Sequence, residues 1–153
     1  MAPDHANPKV RADLVHDSFL FTLLATVIHS DIMYVFGIGD GTIAVNGDVV
    51  FKGGTGRTEF LCEEFIDGRE RTPFKRSLAT ADLRNVVLAT DGADPLWQEP
   101  GGLAGFAAND EHFRTPVAIP RLLDRQMATG QLSDDATVVV IRRRPAGTGE
   151  SNP

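Results

Sequence analysis

The sequence predicts an α+β domain built on antiparallel strands, and three observations carry that prediction. Short apolar runs follow one another from Phe19 to Phe51 with only turn residues between them, the pattern of strands joined by hairpins. A strand-like run, "RNVVLAT", passes directly into "DGADPLWQ", where an Asp-Pro pair suits a helix start. A β-branched run over 136–141 closes the pattern. With 153 residues, 42% of them hydrophobic, the chain can bury one respectable core, and a second independent core is not expected at that length.

In chain order, residues 1–18 form a lead segment with two prolines, charges of both signs and no sustained periodicity, leaving room for a short helix running up to Phe19. The domain proper is expected over 19–144. Its first four strands are "FLFTLLATVI", "IMYVFGI", "TIAV" and "DVVF", separated by "HSD", "GDG" and "NG". Asn46-Gly47 is the strongest of these turn signals, because a two-residue hairpin needs positive φ at both central positions. The four runs read as one antiparallel meander. "GGTGR" (53–57) reads as a loop, and the polar stretch after it as a connection carrying one more edge strand near Phe74 to Ala79. "RNVVLAT" is a buried strand, with Asp94 and Pro95 as cap and first residue of the helix that follows. Helices are expected over 102–109 and 117–128, the second with Leu122, Leu123 and Met127 on one face and Pro120 in its first turn. Ala136 to Ile141 reads as a buried central strand, and the tail 145–153 as disordered.

Composition excludes several classes of function. Asp and Glu outnumber Lys and Arg by 21 to 15, for a formal net charge of −6, which repels a phosphate backbone unless basic residues are concentrated on one face. No nucleic-acid partner is expected. The single cysteine, Cys62, rules out an intramolecular disulfide and suits a reducing, cytoplasmic setting. The most apolar early stretch, Phe19 to Ile28, is too short to span a bilayer and follows charges of both signs, so neither a membrane segment nor a signal peptide is expected. His5, His16, His29 and His112 lack zinc-binding spacing, "GGTGR" lacks the Lys-Ser/Thr ending of a phosphate-cradling loop, and Arg142 to Arg144 read as a solvated basic edge. Cys62 has no activating neighbour in sequence and reads as a buried or idle thiol.

The chemistry lies in three acidic sites at strand termini: Asp40 after "YVFGI", Asp91 after "VVLAT", and Asp134 or Asp135 before "ATVVVI". Antiparallel neighbours run in opposite directions, so the end of one strand and the start of another can share a sheet end. Carboxylates gathered there without His or Cys partners suit the hard cations Mg²⁺ and Mn²⁺. Taken singly, an Asp before Gly also fits a turn that caps its own backbone. Side chains alternate, so at most one of Asp134 and Asp135 is a direct ligand. Gly37, Gly39 and Gly41 allow close packing or a bulge beside the site, and Gly92 forms the turn after Asp91.

The ordered set "FLFTLLATVI", "YVFGIGDG", "FLCEEF", "LATDGAD" and "SDDATVVVIRR" resembles the bacterial branch of the metal-dependent PP2C-like (PPM-type) serine/threonine phosphatases, from about Phe19 to Arg143. That resemblance implies a β-sandwich of two antiparallel sheets flanked by helices, with a Mn²⁺ or Mg²⁺ centre at its edge and a phosphoprotein as substrate. On it, Asp91 corresponds to the metal-binding aspartate of the family's "SDG" signature, and Asp134 to that of its terminal "DN" signature. Asp40 corresponds to the aspartate of the "GDS" signature at an additional metal site, with Gly41 in place of the serine. The family's leading segment, with a phosphate-gripping arginine, an acidic cluster and a metal-bridging "DGxGG" turn, has no counterpart in "MAPDHANPKVRADLVHDS". The resemblance therefore implies an N-terminally truncated domain, with weak or no activity, whose open sheet edges and apolar faces invite a homodimer or another protein partner. A start lying further upstream is the other reading of the same gap.

Overall fold

A computed structural model of the chain describes residues 7–19, 21–54, 60–98 and 101–143. Its strands are β1 (Leu23–His29), β2 (Ile32–Ile38), β3 (Thr42–Val45), β4 (Asp48–Lys52), β5 (Phe74–Ala79), β6 (Asn85–Ala89) and β7 (Val138–Arg142). Its α-helices are α1 (Pro8–Phe19), α2 (Glu64–Asp67), α3 (Gly102–Ala108) and α4 (Ala118–Ala128), with 3-10 segments at Leu61–Glu63, Asp91–Gln98 and Asp110–Phe113. The strands form two antiparallel sheets, β1-β2-β5 and β4-β3-β6-β7. This is an α+β architecture with a sandwich at its centre.

The expected meander is instead two hairpins, one in each sheet. β1 and β2 turn at Ser30-Asp31, and β3 and β4 at Asn46-Gly47, whose φ values of +56° and +91° are those the tight turn requires. Between the hairpins the chain changes sheets at Gly39-Asp40-Gly41. The glycines have φ of +94° and +129°, a region closed to most side chains. A Cβ on Gly39 would meet the Thr22 backbone at 2.9 Å, and one on Gly41 would meet the Ala89 carbonyl at 2.7 Å. The crossing is short and glycine-rich, which is why it resembles another hairpin turn in sequence.

Period-two patterning decides which residues lie between the sheets. Met33 and Val35 of β2 meet Ile43 of β3 and Val86 and Leu88 of β6. Phe51 and Phe74 close one side with ring centroids 5.4 Å apart. Each fully buried aliphatic side chain here contributes about 1.5–3 kcal/mol by leaving water. The alternate residues Ala44 and Val87 face the other way, against Leu103 and Ala107 of α3. Nearby, Ala89, Ala93, Leu96 and Phe106 pack with Leu122 and Leu123 of α4. The helical layer thus covers the outer face of the four-stranded sheet.

Several elements depart from the sequence reading. The 136–141 run yields β7, an edge strand: Val138 and Val140 pack toward the helices, while Val139 and Ile141 are 49% and 39% exposed. Its continuous apolar character reflects two different surroundings rather than a central position. The segment after Asp91 is a 3-10 helix that already begins at Asp91 and contains Pro95, so Asp94 is not its cap. Arg142 and Arg143 are engaged rather than simply solvated. Arg142 pairs with Asp110 at 2.9 Å and lies over the Phe113 ring, and Arg143 donates to the Thr80 and Ala81 carbonyls. The edge strand near Phe74 is β5, α3 and α4 fall where expected, and the lead segment forms α1. Cys62 is buried and free. The expected tail, His5, Arg144 and part of the "GGTGR" loop lie outside the described residues. Among the described residues no helix is long and apolar enough to cross a membrane.

Candidate functional site

The register of the four-stranded sheet places the acidic turns. Thr42 pairs with Lys52 on one side and with Ala89 on the other, and Ala89 pairs with Val138. These residues form the last full row at one end of the sheet. One row further, the Gly53 N–H donates to the Gly41 carbonyl at 2.8 Å and the Thr90 N–H to the Thr137 carbonyl at 3.0 Å. Asp40, Asp91 and the Asp134-Asp135 pair follow on the segments that enter or leave this end. Antiparallel pairing puts the ends of some strands beside the starts of others, and the three acidic segments therefore share one sheet end.

The segments also touch. Gly92 is buried, and a Cβ on it would sit 2.3 Å from the Asp135 carbonyl oxygen and 3.2 Å from that of Asp134. Only glycine lets the two turns approach so closely. Thr137 donates its N–H to the Thr90 hydroxyl at 2.9 Å, fastening the same junction. On the other flank the Gly41 position abuts the Ala89 carbonyl, joining the Asp40 turn to the strand that carries Asp91.

Asp40, Asp91, Asp94 and Asp134 each have a hydrogen-bonding partner. The Thr22 hydroxyl, just ahead of β1, donates to the Asp40 carboxylate and accepts from the Asp40 N–H at 3.2 Å. Half-buried Asp40 is thereby satisfied without any ion, as a buried polar group must be. Asp91 accepts from the Gly92 N–H at 2.9 Å, and Asp134 from the Asp135 N–H at 2.8 Å. Asp94 forms an ion pair with Lys52, whose ammonium reaches both carboxylate oxygens.

No protein-family model and no curated protein sequence matches the chain. Solved structures do. An arginine-to-alanine variant of a bacterial serine phosphatase superposes with a TM-score of 0.57 at 12% identity, over 88% of this chain and 62% of that one. An arginine-to-glutamate variant of a bacterial serine phosphatase gives 0.56 at 12% identity, with the same shares of both chains. The chain has a PP2C-like phosphatase fold. It spans about three-fifths of the length of those phosphatase structures, and at that identity the likeness is one of fold. The phosphatase domain of the cell fate determinant SpoIIE from Bacillus subtilis also matches, with a TM-score of 0.46 at 18% identity, over 92% of this chain and 67% of that one.

Within this phosphatase-like fold the donor set is all oxygen, which suits a hard divalent cation. Its arrangement does not. Among the described residues no group of three or more His, Cys, Asp and Glu side chains is placed to hold a metal ion. One hydroxyl, two turn amides and one ammonium already engage the carboxylates at this end. Sequence reasoning located Asp40, Asp91 and Asp134 but missed Thr22 and Lys52. Lys52 had only a partial signal: counting back across the Asn46-Gly47 hairpin pairs Thr42 with Phe51, and a bulge between Ile43 and Ala44 moves the partner on to Lys52. Thr22 had none beyond a threonine ahead of an apolar run. Thr42 was also missed; it is 1% exposed, and its hydroxyl has no hydrogen-bond partner among the described residues.

Proposed function

We propose that this chain is a PP2C-like protein serine/threonine phosphatase domain whose centre is incomplete in the described residues, so that by itself it hydrolyses phosphoproteins only weakly. The observation that carries the reading is the meeting of the Asp40, Asp91 and Asp134 segments at one end of a sandwich with the phosphatase fold. In this reading Asp91 and Asp134 contribute to a Mn²⁺ or Mg²⁺ site and Asp40 to an accessory one, with the remaining ligands supplied from outside the described residues. The cytoplasm is the proposed location, and a phosphoserine or phosphothreonine protein the substrate.

A second reading is favoured by the absence, among the described residues, of a three-ligand group: a phosphatase-like module that binds a protein partner, or a second copy of itself, without catalysis. Its open edge strands β1 and β7 are the surfaces such a partner would use. One experiment separates the two. Release of phosphate from an aryl phosphate by the purified chain is measured with and without Mn²⁺, alongside Asp91→Asn and Asp134→Asn. The phosphatase reading expects a low Mn²⁺-dependent rate that falls to the buffer level in both variants. A wild-type rate equal to buffer supports the binding module, and a rate indifferent to Mn²⁺ or to both substitutions overturns the assigned carboxylate roles.

A further inference from the structure

Lys52 ends β4 in the last full row before the acidic sheet end. Its strand partner Thr42 lies two residues past Asp40, and the next residue, Gly53, packs so near the crossing that a Cβ there would be 3.1 Å from the Asp40 Cα. From this position the ammonium reaches over to the 3-10 helix that starts at Asp91, and it binds both oxygens of Asp94. The two side chains are 36% and 37% exposed, and an ion pair so exposed contributes little to stability. Stability is therefore a poor reason for it.

Charge is a better one. Asp40, Asp91, Asp94, Asp134 and Asp135 lie on touching segments at this end, and negative charges carried to one end of a sheet make a region of potential that attracts a cation. That cation can be a divalent ion from solvent or a positive side chain. We infer that Lys52 is the built-in counter-ion of the acidic sheet end: a tethered ammonium that takes Asp94 in place of a divalent cation and lowers the affinity of the Asp91–Asp94 turn for one. Metal and ammonium compete for the same carboxylate, and an ammonium a few ångströms from a doubly charged ion weakens its binding about tenfold even in a water-like dielectric.

The inference concerns the same sheet end as the phosphatase reading, but it is tested by binding rather than hydrolysis, so either can fail alone. Mn²⁺ is titrated calorimetrically, and by the loss of the free-ion electron paramagnetic resonance signal, into the wild type, Lys52→Met, Lys52→Arg and the double variant Lys52→Met/Asp94→Asn. Lys52→Met is expected to bind Mn²⁺ about tenfold more tightly than wild type. Lys52→Arg, which keeps the charge, stays at the wild-type affinity, and the gain disappears when Asp94 is also replaced. Wild-type affinity in Lys52→Met, or a gain that persists without Asp94, overturns the inference. Near-ultraviolet circular dichroism checks that each variant is folded, and Lys52→Gln provides the same loss of charge should Lys52→Met fail that check.

Discussion

Substituting alanine for Gly92 tests whether the junction of the acidic turns is a real structural unit. The new Cβ would lie 2.3 Å from the Asp135 carbonyl oxygen, 2.9 Å from its carbonyl carbon and 3.2 Å from the Asp134 oxygen. All three are backbone atoms, so no side-chain rotation relieves the overlap. Either the 3-10 helix at Asp91 or the 134–135 segment must move. Overpacking of this kind costs about 2 kcal/mol, and displacement of the segment also weakens the Thr90–Thr137 pair, bonded at 3.0 and 2.9 Å, for about 1 kcal/mol more. A total of about 3 kcal/mol corresponds to a fall in melting temperature of about 6–12 °C for a chain of this size. Thermal unfolding followed by far-ultraviolet circular dichroism reads the shift, and amide exchange at Thr137 reports whether the junction itself has opened. A variant that melts within about 1 °C of wild type, with Thr137 still protected, would refute the close approach of the two turns.

Three other substitutions probe the supports of the same frame. Asn46 accepts from the Arg84 and Asn85 amides at 2.8 and 3.2 Å and donates to the Asp82 carbonyl at 2.9 Å, so Asn46→Ala is expected to cost about 2 kcal/mol in a urea titration; an unchanged midpoint would show that the turn holds without it. Thr22→Val leaves half-buried Asp40 without its hydroxyl donor, at a cost of about 1–3 kcal/mol, and a double-mutant cycle with Asp40→Asn should show coupling between the two positions; strict additivity would deny the bond. Arg71 holds the Asp67 carboxyl below its ordinary value of 3.8, with help from the Arg69 N–H. A depressed carboxyl stabilises the fold above the unfolded pKa and loses that contribution as pH falls through the lowered one, so the Asp67 contribution is complete above about pH 3.8 and fades below it. Arg71→Met should move the Asp67 titration, followed by carboxyl carbon NMR, up toward 3.8, and an unmoved titration would remove Arg71 as the cause.

Local signals were enough wherever one turn or one helical face decides the outcome. The Asn46-Gly47 hairpin, the Phe74–Ala79 strand and α4 are of this kind, because positive φ, alternation and a periodic apolar face are properties of adjacent residues. Assignment of strands to sheets is different. "GDG" between two apolar runs serves equally as a hairpin turn or as a crossing, and the choice rests on Ile43 sharing a core with Met33 and Val35. That is a contact between sheets which no window of sequence contains. β7 misleads for the same reason, since burial on one face and exposure on the other leave a single apolar run.

The acidic end shows where legibility stops for chemistry as well. Antiparallel order alone allows Asp40, Asp91 and Asp134 to share one sheet end, and the residue register brings the segments that carry them there. Whether a carboxylate there is available to an ion depends on what else can reach it. Asp40 is answered by Thr22, 18 positions away, and Asp94 by Lys52, 42 positions away. Neither distance follows from a motif, yet each partner changes what the motif can do. An aspartate bound to a hydroxyl ties the Gly39-Asp40-Gly41 crossing to the start of β1, and one bound to an ammonium is already neutralised. The motif therefore marks this sheet end within the phosphatase fold, and the distant partners Thr22 and Lys52 set how its carboxylates are bonded.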